Sequence, residues 1–260
     1  MGRFWTVLVL AAVGCLASGR AQAEPVKIAI IRLPRISNFT DFEHLERYAA
    51  VHYVNPGAPL GGYDCIILPG TKNTVEDLLV LQSSGAAAAI VQAREQGIPV
   101  IGICGGYQML GKEIIDEGLE SCRGTYPGLG LLRVTTRFSR YEKVTEQVQR
   151  TARSNGPILS PMGMVKGYEI HMGETKRDGD DEAFFGEGAV SPDGMVIGTY
   201  LHGLFDNRSA VHALLSYLYA RKGLVFDPGS PGESNDVYEE LAAEFEQHIR
   251  LDPIIALFGD

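Results

Sequence analysis

The stretch IPVIGICGGYQMLG, residues 98–111, decides the fold. Its first six residues form an apolar run, which is typical of a strand buried on both faces of a sheet. Cys104 follows directly, framed by Gly102 and Gly106, and a helical pattern begins after it. This is the arrangement of a nucleophile elbow, because glycines two residues before and after the nucleophile relieve crowding at a sharp strand-to-helix turn. The stretch therefore predicts a nucleophilic Cys104 at the edge of a sheet.

Two further apolar runs precede this stretch, at residues 26–31 and 64–68. Helical patterns separate the three runs, at residues 39–50, 74–82 and 84–96. Strands that alternate with helices form βαβ units, and these units build a parallel sheet. The sequence therefore predicts an α/β fold with a doubly wound, mostly parallel sheet flanked by helices. Ligands of such sheets bind at the carboxyl edge of the strands, where Cys104 is expected.

The rest of the chain shows no internal repeat and no second core. Residues 118–200 contain shorter β segments and loops, and helices are predicted near 207–221 and 236–250. A single domain over residues 24–260 is the expected organisation. Residues 1–23 have a basic start, a short apolar run and an A-x-A exit, so they have the form of a secretory signal peptide, unless they are a false upstream start.

The composition excludes several classes of partner. Lys and Arg number 23 against 32 Asp and Glu, which gives a net charge of −9 and a sequence pI near 5.2. Such an acidic chain lacks the basic footprint of nucleic-acid binding. After residue 24, no window has the roughly 18 apolar residues of a membrane span. The four cysteines form no CxxC pair and no metal-ligand spacing, so we expect no bound metal and no cofactor.

A thiol nucleophile needs a general base, which is usually a histidine. His202 follows an apolar run, residues 195–200, and so stands at the end of a predicted strand, as Cys104 does. His171 lies in a polar β segment and is the second candidate. The helix that begins after Cys104 favours the thiolate form, and the backbone N–H of Gly105 can point at an oxyanion. The pattern predicts acyl transfer through a cysteine.

Five motifs together carry a resemblance to a known family. Besides the elbow, they are RLPRISNFTDF (32–42), LPGTKN (68–73), GYEIHMG (167–173) and GTYLHGLFD (198–206). In this order they resemble class I glutamine amidotransferases, and specifically the glutaminase domain of cobyric acid synthase. The resemblance runs from about residue 26 to the C-terminus. It implies a flavodoxin-like fold, glutamine as the substrate and ammonia as a product.

The resemblance also implies roles for individual residues. Cys104 would attack the side-chain amide carbon of glutamine, and His202 would protonate the departing ammonia and then activate water against the thioester. Gly70 would join Gly105 as an oxyanion donor. Gln108 would contact the substrate; its position alone also fits a polar residue on a helix surface. In the complete synthase, the ammonia amidates carboxylates of a corrinoid, adenosylcobyrinic acid a,c-diamide, after ATP activates each of them.

Leu204 departs from the pattern of many class I amidotransferases, which have Glu two residues after the histidine. The acid that orients His202 must then come from elsewhere. Asp41 is the first candidate, since its loop follows the first strand and should open on the same sheet edge as the elbow. A helix N-cap is the alternative role of Asp41. Glu169 is the second candidate for the orienting acid.

No G-x-x-x-x-G-K-[ST] phosphate loop occurs in the sequence. We therefore expect a separate partner, the synthetase that uses ATP and Mg, with the corrinoid as an indirect partner. That chemistry favours the cytoplasm, whereas the leader-like start favours export. Two other functions stay open at this point: a stand-alone amidotransferase subunit for a cell-wall precursor, and a non-catalytic remnant of the family.

Overall fold

The computed structural model describes residues 26–141 and 144–228. The leader-like segment and the helix predicted near 236–250 lie outside these residues. The described elements, in chain order, are β1 (Lys27–Ile31), a 3₁₀ turn (Phe39–Phe42), α1 (Glu43–Glu46), β2 (Ala50–Val54), β3 (Cys65–Leu68), α2 (Thr74–Ser83), α3 (Ala86–Glu95), β4 (Val100–Ile103), α4 (Gly105–Leu110), β5 (Glu113–Asp116), β6 (Gly124–Pro127), β7 (Val134–Phe138), β8 (Val144–Thr151), α5 (Gly156–Leu159), β9 (Met164–His171), β10 (Glu174–Arg177), β11 (Ala189–Val190), β12 (Val196–Thr199), β13 (Leu201–His202), a second 3₁₀ turn (Leu204–Asp206) and α6 (Arg208–Arg221).

A six-stranded sheet in the order β2-β1-β3-β4-β12-β11 forms the centre of the molecule. Its neighbouring strands pair in parallel, except that β11 pairs antiparallel with β12. The strands β3, β4 and β12 are buried along their whole length, as their continuous apolar runs predict. The doubly wound, mostly parallel sheet predicted from the sequence is confirmed.

Helices cover both faces of this sheet. Successive side chains of a strand point to opposite faces, so Ile67 and Leu68 of β3 belong to two different cores. Leu78 of α2 and Ile90 of α3 pack in the core with Leu68, and Leu214 of α6 packs in the core with Ile67. Among the described residues, no single helix is long and apolar enough to cross a membrane, although α2 and α3 pass that test as a pair bent by 78°.

The helix predicted over residues 39–50 is much shorter than expected. After the 3₁₀ turn, α1 ends at Glu46, and the chain continues as β2, which pairs in parallel with β1. The β2 sequence AVHYV is rich in β-branched and aromatic residues, which favour strands. Without β2, one edge of β1 would expose unpaired backbone groups, so the tertiary pairing overrides the local helical pattern.

Two smaller sheets complete the described structure, in the orders β10-β7-β5-β6 and β13-β9-β8. In the second, β13 pairs antiparallel with β9, with His202 opposite Tyr168 and Leu201 opposite Glu169. Because β13 comes just after β12, this pairing fixes His202 beyond the carboxyl end of a central strand. The neighbouring strand β4 ends in the elbow, so His202 and Cys104 emerge at the same edge of the sheet.

Candidate active site

Cys104 lies between β4 and α4 in a backbone conformation that is rare for a non-glycine residue, with φ 52° and ψ −112°. Such strained residues are typical of active sites, where the surrounding structure holds them. A Cβ atom on Gly106 would lie 2.0 Å from the carbonyl oxygen of Leu68, and one on Gly105 would lie 2.6 Å from Cγ2 of Thr71. The elbow therefore needs glycine at both positions, because α4 packs directly against the end of β3.

His202 and Asp41 form a buried pair. Nδ1 of His202 lies 2.7 Å from Oδ2 of Asp41, and the backbone N–H of Gly203 donates to Oδ1 at 3.0 Å. The two side chains are only 1% and 2% exposed. Asp41 lies in the 3₁₀ turn after β1, and the N-cap of α1 is Phe42. The N-cap role considered for Asp41 is therefore not what the structure shows; its carboxylate faces the histidine.

This pairing determines the charge of His202. Burial alone would lower the pKa of His202, since it disfavours the charged form. The hydrogen bonds with Asp41 and Cys104, together with the negative charges of these two groups, outweigh the burial and raise the pKa of His202 to about 9. Near neutral pH the side chain of His202 is therefore the positively charged imidazolium, with both ring nitrogens protonated. An imidazolium can donate a proton to a leaving group, which is the acid step of acyl transfer.

Glu169 does not lie against His202 as an orienting acid. Its Oε1 accepts hydrogen bonds from Nε and Nη2 of Arg150 at 2.9 and 2.7 Å. Side chains alternate along β9, so Glu169 points away from the face on which Tyr168 stacks against His202. Its observed partner, Arg150, lies on the neighbouring strand β8 and cannot be identified from local sequence.

Two residues that sequence reasoning missed complete the surroundings of His202. Tyr168 stacks on the imidazole, with ring centroids 5.3 Å apart. Asn38 adopts a left-handed conformation with φ 55°, and its Nδ2 lies 2.8 Å from Nδ1 of His202. The same Nδ2 donates to the hydroxyl of Tyr168 at 3.3 Å. Both residues belong to the quoted motifs, RLPRISNFTDF and GYEIHMG, which were the available signal for them.

Gly70 lies close to both reactive side chains. A Cβ atom there would be 3.1 Å from Cε1 of His202 and 3.7 Å from Cβ of Cys104. Its carbonyl accepts from the backbone N–H of Ser37 at 2.9 Å, which ties the loop after β3 to the loop after β1. A side chain at position 70 would therefore crowd both His202 and Cys104. The structure thus brings Gly70, Gly105, Cys104 and His202 together, as the sequence predicts.

Gln108 is buried beneath the elbow rather than on a helix surface. Its Oε1 accepts from the hydroxyl of Thr74 at 2.9 Å, while its Nε2 donates to the carbonyl of Met172 at 2.9 Å and to the hydroxyl of Tyr200 at 3.0 Å. These bonds use both amide hydrogens and one of the two lone pairs of Oε1. Gln108 also lines the cavity that contains Cys104.

A cavity of about 380 Å³ connects these residues, and His171 lines it together with Cys104 and His202. The His171 ring stacks on Tyr200 with centroids 3.7 Å apart, and burial lowers the pKa of His171. Asp41 faces His202 instead, so of these two histidines it is His202 that has a buried carboxylate at its Nδ1. Within the described residues, no group of three or more His, Cys, Asp or Glu side chains is placed to hold a metal ion.

Comparison with known proteins agrees with this geometry. Residues 27–210 match the model of the CobB/CobQ-like glutamine amidotransferase domain. The chain belongs to this family. The matched residues include Cys104, His202 and Asp41, so the nucleophile and the buried pair all lie within the amidotransferase domain.

Relatives of this amidotransferase are similar over most of its length. It is 61% identical to the probable cobyric acid synthase of Methanosphaerula palustris over 92% of this chain and 49% of that protein. Identity to the probable cobyric acid synthase of Methanoregula boonei is 60%, over 90% of this chain and 48% of the relative. The corresponding protein of Methanosarcina mazei is 50% identical over 92% and 49%. The chain spans about half the length of the curated relatives it matches.

Solved structures share the fold of this amidotransferase. A chain of PurLQS from Thermotoga maritima has a TM-score of 0.58 at 19% identity and covers 75% of this chain and 99% of its own length. A glutamine amidotransferase from Thermotoga maritima has a TM-score of 0.50 at 16% identity, over 76% of this chain and 82% of its own. At such identities the likeness concerns the fold alone.

Proposed function

We propose that this chain is the glutaminase part of a cobyric acid synthase, which hydrolyses glutamine to glutamate and ammonia. One observation carries the proposal: a cysteine on a strained elbow lines the same cavity as a histidine whose Nδ1 lies 2.7 Å from a buried carboxylate. A nucleophile, a base and an orienting acid in this order form the arrangement that activates a thiol for acyl transfer. Membership of the glutamine amidotransferase family indicates that glutamine is the acyl donor.

Cleavage of the amide begins with the thiolate of Cys104. Its sulfur attacks the side-chain carbonyl carbon of glutamine and forms a C–S bond, while the electron pair of the carbonyl moves to oxygen. The imidazolium of His202 then donates its proton to the amide nitrogen as the C–N bond breaks. Ammonia leaves, and a glutamyl thioester remains on Cys104.

Hydrolysis of the thioester uses the same histidine in the opposite sense. The neutral imidazole of His202 accepts a proton from water while the water oxygen attacks the thioester carbon. The C–S bond breaks, glutamate leaves, and the thiolate of Cys104 and the imidazolium of His202 are restored. Asp41 acts as a positioning residue, because its carboxylate fixes the ring and stabilises the imidazolium that each cycle regenerates.

The oxyanion of both tetrahedral intermediates needs hydrogen-bond donors. Gly105 follows Cys104 in the chain and Gly70 lies close to it, so we assign this role to the backbone N–H groups of these two glycines. The first amides of a helix have no intrahelical partner, so the N–H of Gly105 is available. Gln108 contributes its remaining acceptor position to the substrate.

Ammonia alone does not amidate a carboxylate, so the proposal includes a partner. The relatives are probable cobyric acid synthases, which supports an ATP- and Mg-dependent synthetase as the partner and a corrinoid as the acceptor. These relatives favour the cobalamin branch over the cell-wall alternative considered from the sequence. Because the partner consumes ATP, we place the protein in the cytoplasm.

Ammonia release from glutamine by the full chain tests the proposal. Wild type is expected to release ammonia slowly, and Cys104→Ser is expected to release none. Cys122→Ser is the matched control, since Cys122 is exposed and lies outside the cavity. Amidation of the corrinoid with glutamine and ATP is expected only after the synthetase is added. Corrinoid amidation by the purified chain alone would contradict the proposed partner.

A further inference from the structure

The cavity at Cys104 contains one cationic and one anionic side chain that the cleavage steps do not use. Lys72 follows the Leu-Pro-Gly loop after β3, Glu120 follows β5, and both line the cavity. Apart from Cys104 and the histidines, the other side chains that line this cavity are uncharged in the described part of the chain. Besides the reacting cysteine and the histidines, the cavity therefore offers one acidic and one basic side chain.

The loop that carries Glu120 is held in place by Asp116. Asp116 is 1% exposed, and its carboxylate accepts backbone N–H groups from residues 118, 119, 120 and 121 at 2.9, 2.7, 3.2 and 2.7 Å. Nδ2 of Asn73 donates to the carbonyl oxygen of Glu120 at 2.7 Å. These bonds fix the loop against the start of α2, so the position of Glu120 is set before any ligand arrives.

The carboxylate of Glu120 has acceptor capacity beyond its bonds within the protein. Its Oε2 accepts the backbone N–H groups of Thr74 and Val75 at 2.7 and 3.1 Å. An ionised carboxylate has about four acceptor positions, so these two bonds leave room for the donors of a ligand. Burial raises the pKa of Glu120, and a cation bound in the cavity would offset that cost.

Lys72 supplies the opposite charge. Its side chain is exposed and lines the cavity, and its backbone N–H donates to the carbonyl of Arg35 at 3.0 Å. This bond fixes the point from which the flexible side chain extends. A lysine ammonium binds carboxylates as a compact point charge, so it needs no rigid geometry to do so.

We propose that Glu120 binds the α-ammonium of glutamine and that Lys72 binds its α-carboxylate. The inference rests on the proposed function, because it names the groups that hold the same substrate. Free glutamine carries both charges on one carbon atom, at the far end of the side chain from the amide that Cys104 attacks. A subsite with one anion and one cation therefore selects the free amino acid over N-acylated or peptide-bound glutamine.

The experiment combines variants of the full chain with substrates that lack one charge. Glutaramate is glutamine without the α-amino group, and 4-aminobutanamide is glutamine without the α-carboxylate. Glu120→Gln keeps an acceptor for the amides of α2 but loses the charge. It is expected to lower kcat/KM for glutamine about 10- to 100-fold, through KM with kcat nearly unchanged, and to leave kcat/KM for glutaramate unchanged.

Lys72→Met gives the complementary result. It is expected to lower kcat/KM for glutamine and for glutaramate, but not for 4-aminobutanamide. Glu117→Gln and Lys112→Met are the matched controls, because Glu117 pairs with Arg137 and Lys112 with Asp178, and neither lines the cavity. Both controls are expected to match wild type with all three substrates.

Two results separate this inference from the proposed function. An equal loss with glutamine and glutaramate in Glu120→Gln would overturn the subsite, because a general disturbance of α2 does not depend on the α-amino group. If wild type releases no ammonia, the proposed function fails, and calorimetric titration of Cys104→Ser with glutamine then decides the subsite. Weaker glutamine binding after Glu120→Gln is added supports it, whereas unchanged or undetectable binding overturns it.

Discussion

Asp41 and His202 are 161 positions apart in the chain, and their side chains meet at 2.7 Å in the interior. The order of the central sheet makes this contact, because β1 and β12 both end at the edge where the elbow emerges. The acid that many class I amidotransferases place two residues after the histidine is replaced here by Leu204, which is buried. The orienting carboxylate therefore comes from the loop after the first strand.

Cys104 is expected to be the single residue modified by a glutamine-like electrophile of the acivicin type. Burial and the neighbouring charge of Asp64 raise the pKa of Cys65 to about 12, so this thiol stays protonated and inert. Cys122 is exposed but lies outside the cavity. Peptide mapping by mass spectrometry should show one adduct, on the peptide with Cys104. An adduct on Cys65 or Cys122 would contradict the assignment of the nucleophile.

His202→Ala is expected to lower ammonia release on the order of 10²-fold or more, because it removes both the general acid and the general base. His171→Ala should have a smaller effect, since the His171 ring stacks on Tyr200 and has no carboxylate at its Nδ1. Steady-state rates with saturating glutamine measure both variants. The reverse ranking would identify His171 as the base.

The central sheet and the elbow were predictable because their signals are local. A continuous apolar run indicates a buried strand, and the glycine frame around Cys104 indicates a sharp turn. The strand β2 was missed because its short sequence also continues a helical pattern. Only its pairing with β1 makes this segment a strand rather than a helix.

Burial and long-range partners were not predictable from the same patterns. Gln108 is buried because the carbonyl of Met172 and the hydroxyl of Tyr200, both distant in sequence, cover its side chain. The position of Glu169 made it a candidate for the acid that orients His202. Its observed partner is Arg150 on β8, and the pairing of β8 with β9 cannot be read from the sequence. The choice of Asp41 followed from strand topology, which is the one long-range feature that the βαβ pattern provides.

Asp41→Asn is expected to move the pH dependence of the reaction. The carboxylate raises the pKa of His202 against the effect of burial, so its removal should lower that pKa from its wild-type value of about 9. The alkaline limb of kcat/KM should therefore shift to lower pH, together with a loss in turnover on the order of 10²-fold or more. A pH profile of ammonia release measures both effects.

The pH dependence of folding stability, compared between wild type and Asp41→Asn, tests the same shift in the pKa of His202 without measuring activity. A histidine whose pKa is raised in the folded state stabilises the fold below its unfolded value of 6.5, and this contribution is lost as the pH rises through about 9. Wild type should therefore lose stability relative to Asp41→Asn between these two values. An alkaline limb in the same place in both proteins would leave Asp41 with a structural role only.

The folding stability of wild type is expected to depend on pH through Glu187, which does not line the cavity of Cys104. Glu187→Gln is expected to remove this dependence. Glu187 is buried; its Oε2 accepts a hydrogen bond from the hydroxyl of Thr199 at 2.7 Å, and its Oε1 accepts one from the backbone N–H of Tyr200. Burial outweighs these bonds and raises the pKa of Glu187 from 4.5 to about 7. Between these values the folded state holds a proton that the unfolded state has lost, so wild type becomes less stable as the pH rises.

The expected loss is on the order of 3 kcal/mol between pH 4.5 and 8, since each pKa unit corresponds to about 1.4 kcal/mol. Gln has the shape of the neutral acid, so its Nε2 can donate to the hydroxyl of Thr199 while Oε1 keeps the bond from Tyr200. Glu187→Gln should thus match wild type near pH 4.5 and exceed it at pH 8. Urea unfolding at a series of pH values measures this difference. Glu174→Gln is the control, because Glu174 and Glu187 both line a second cavity, but Glu174 is exposed. Parallel pH profiles of wild type and Glu187→Gln would show that Glu187 stays ionised in the folded protein, held by charges that outweigh its burial.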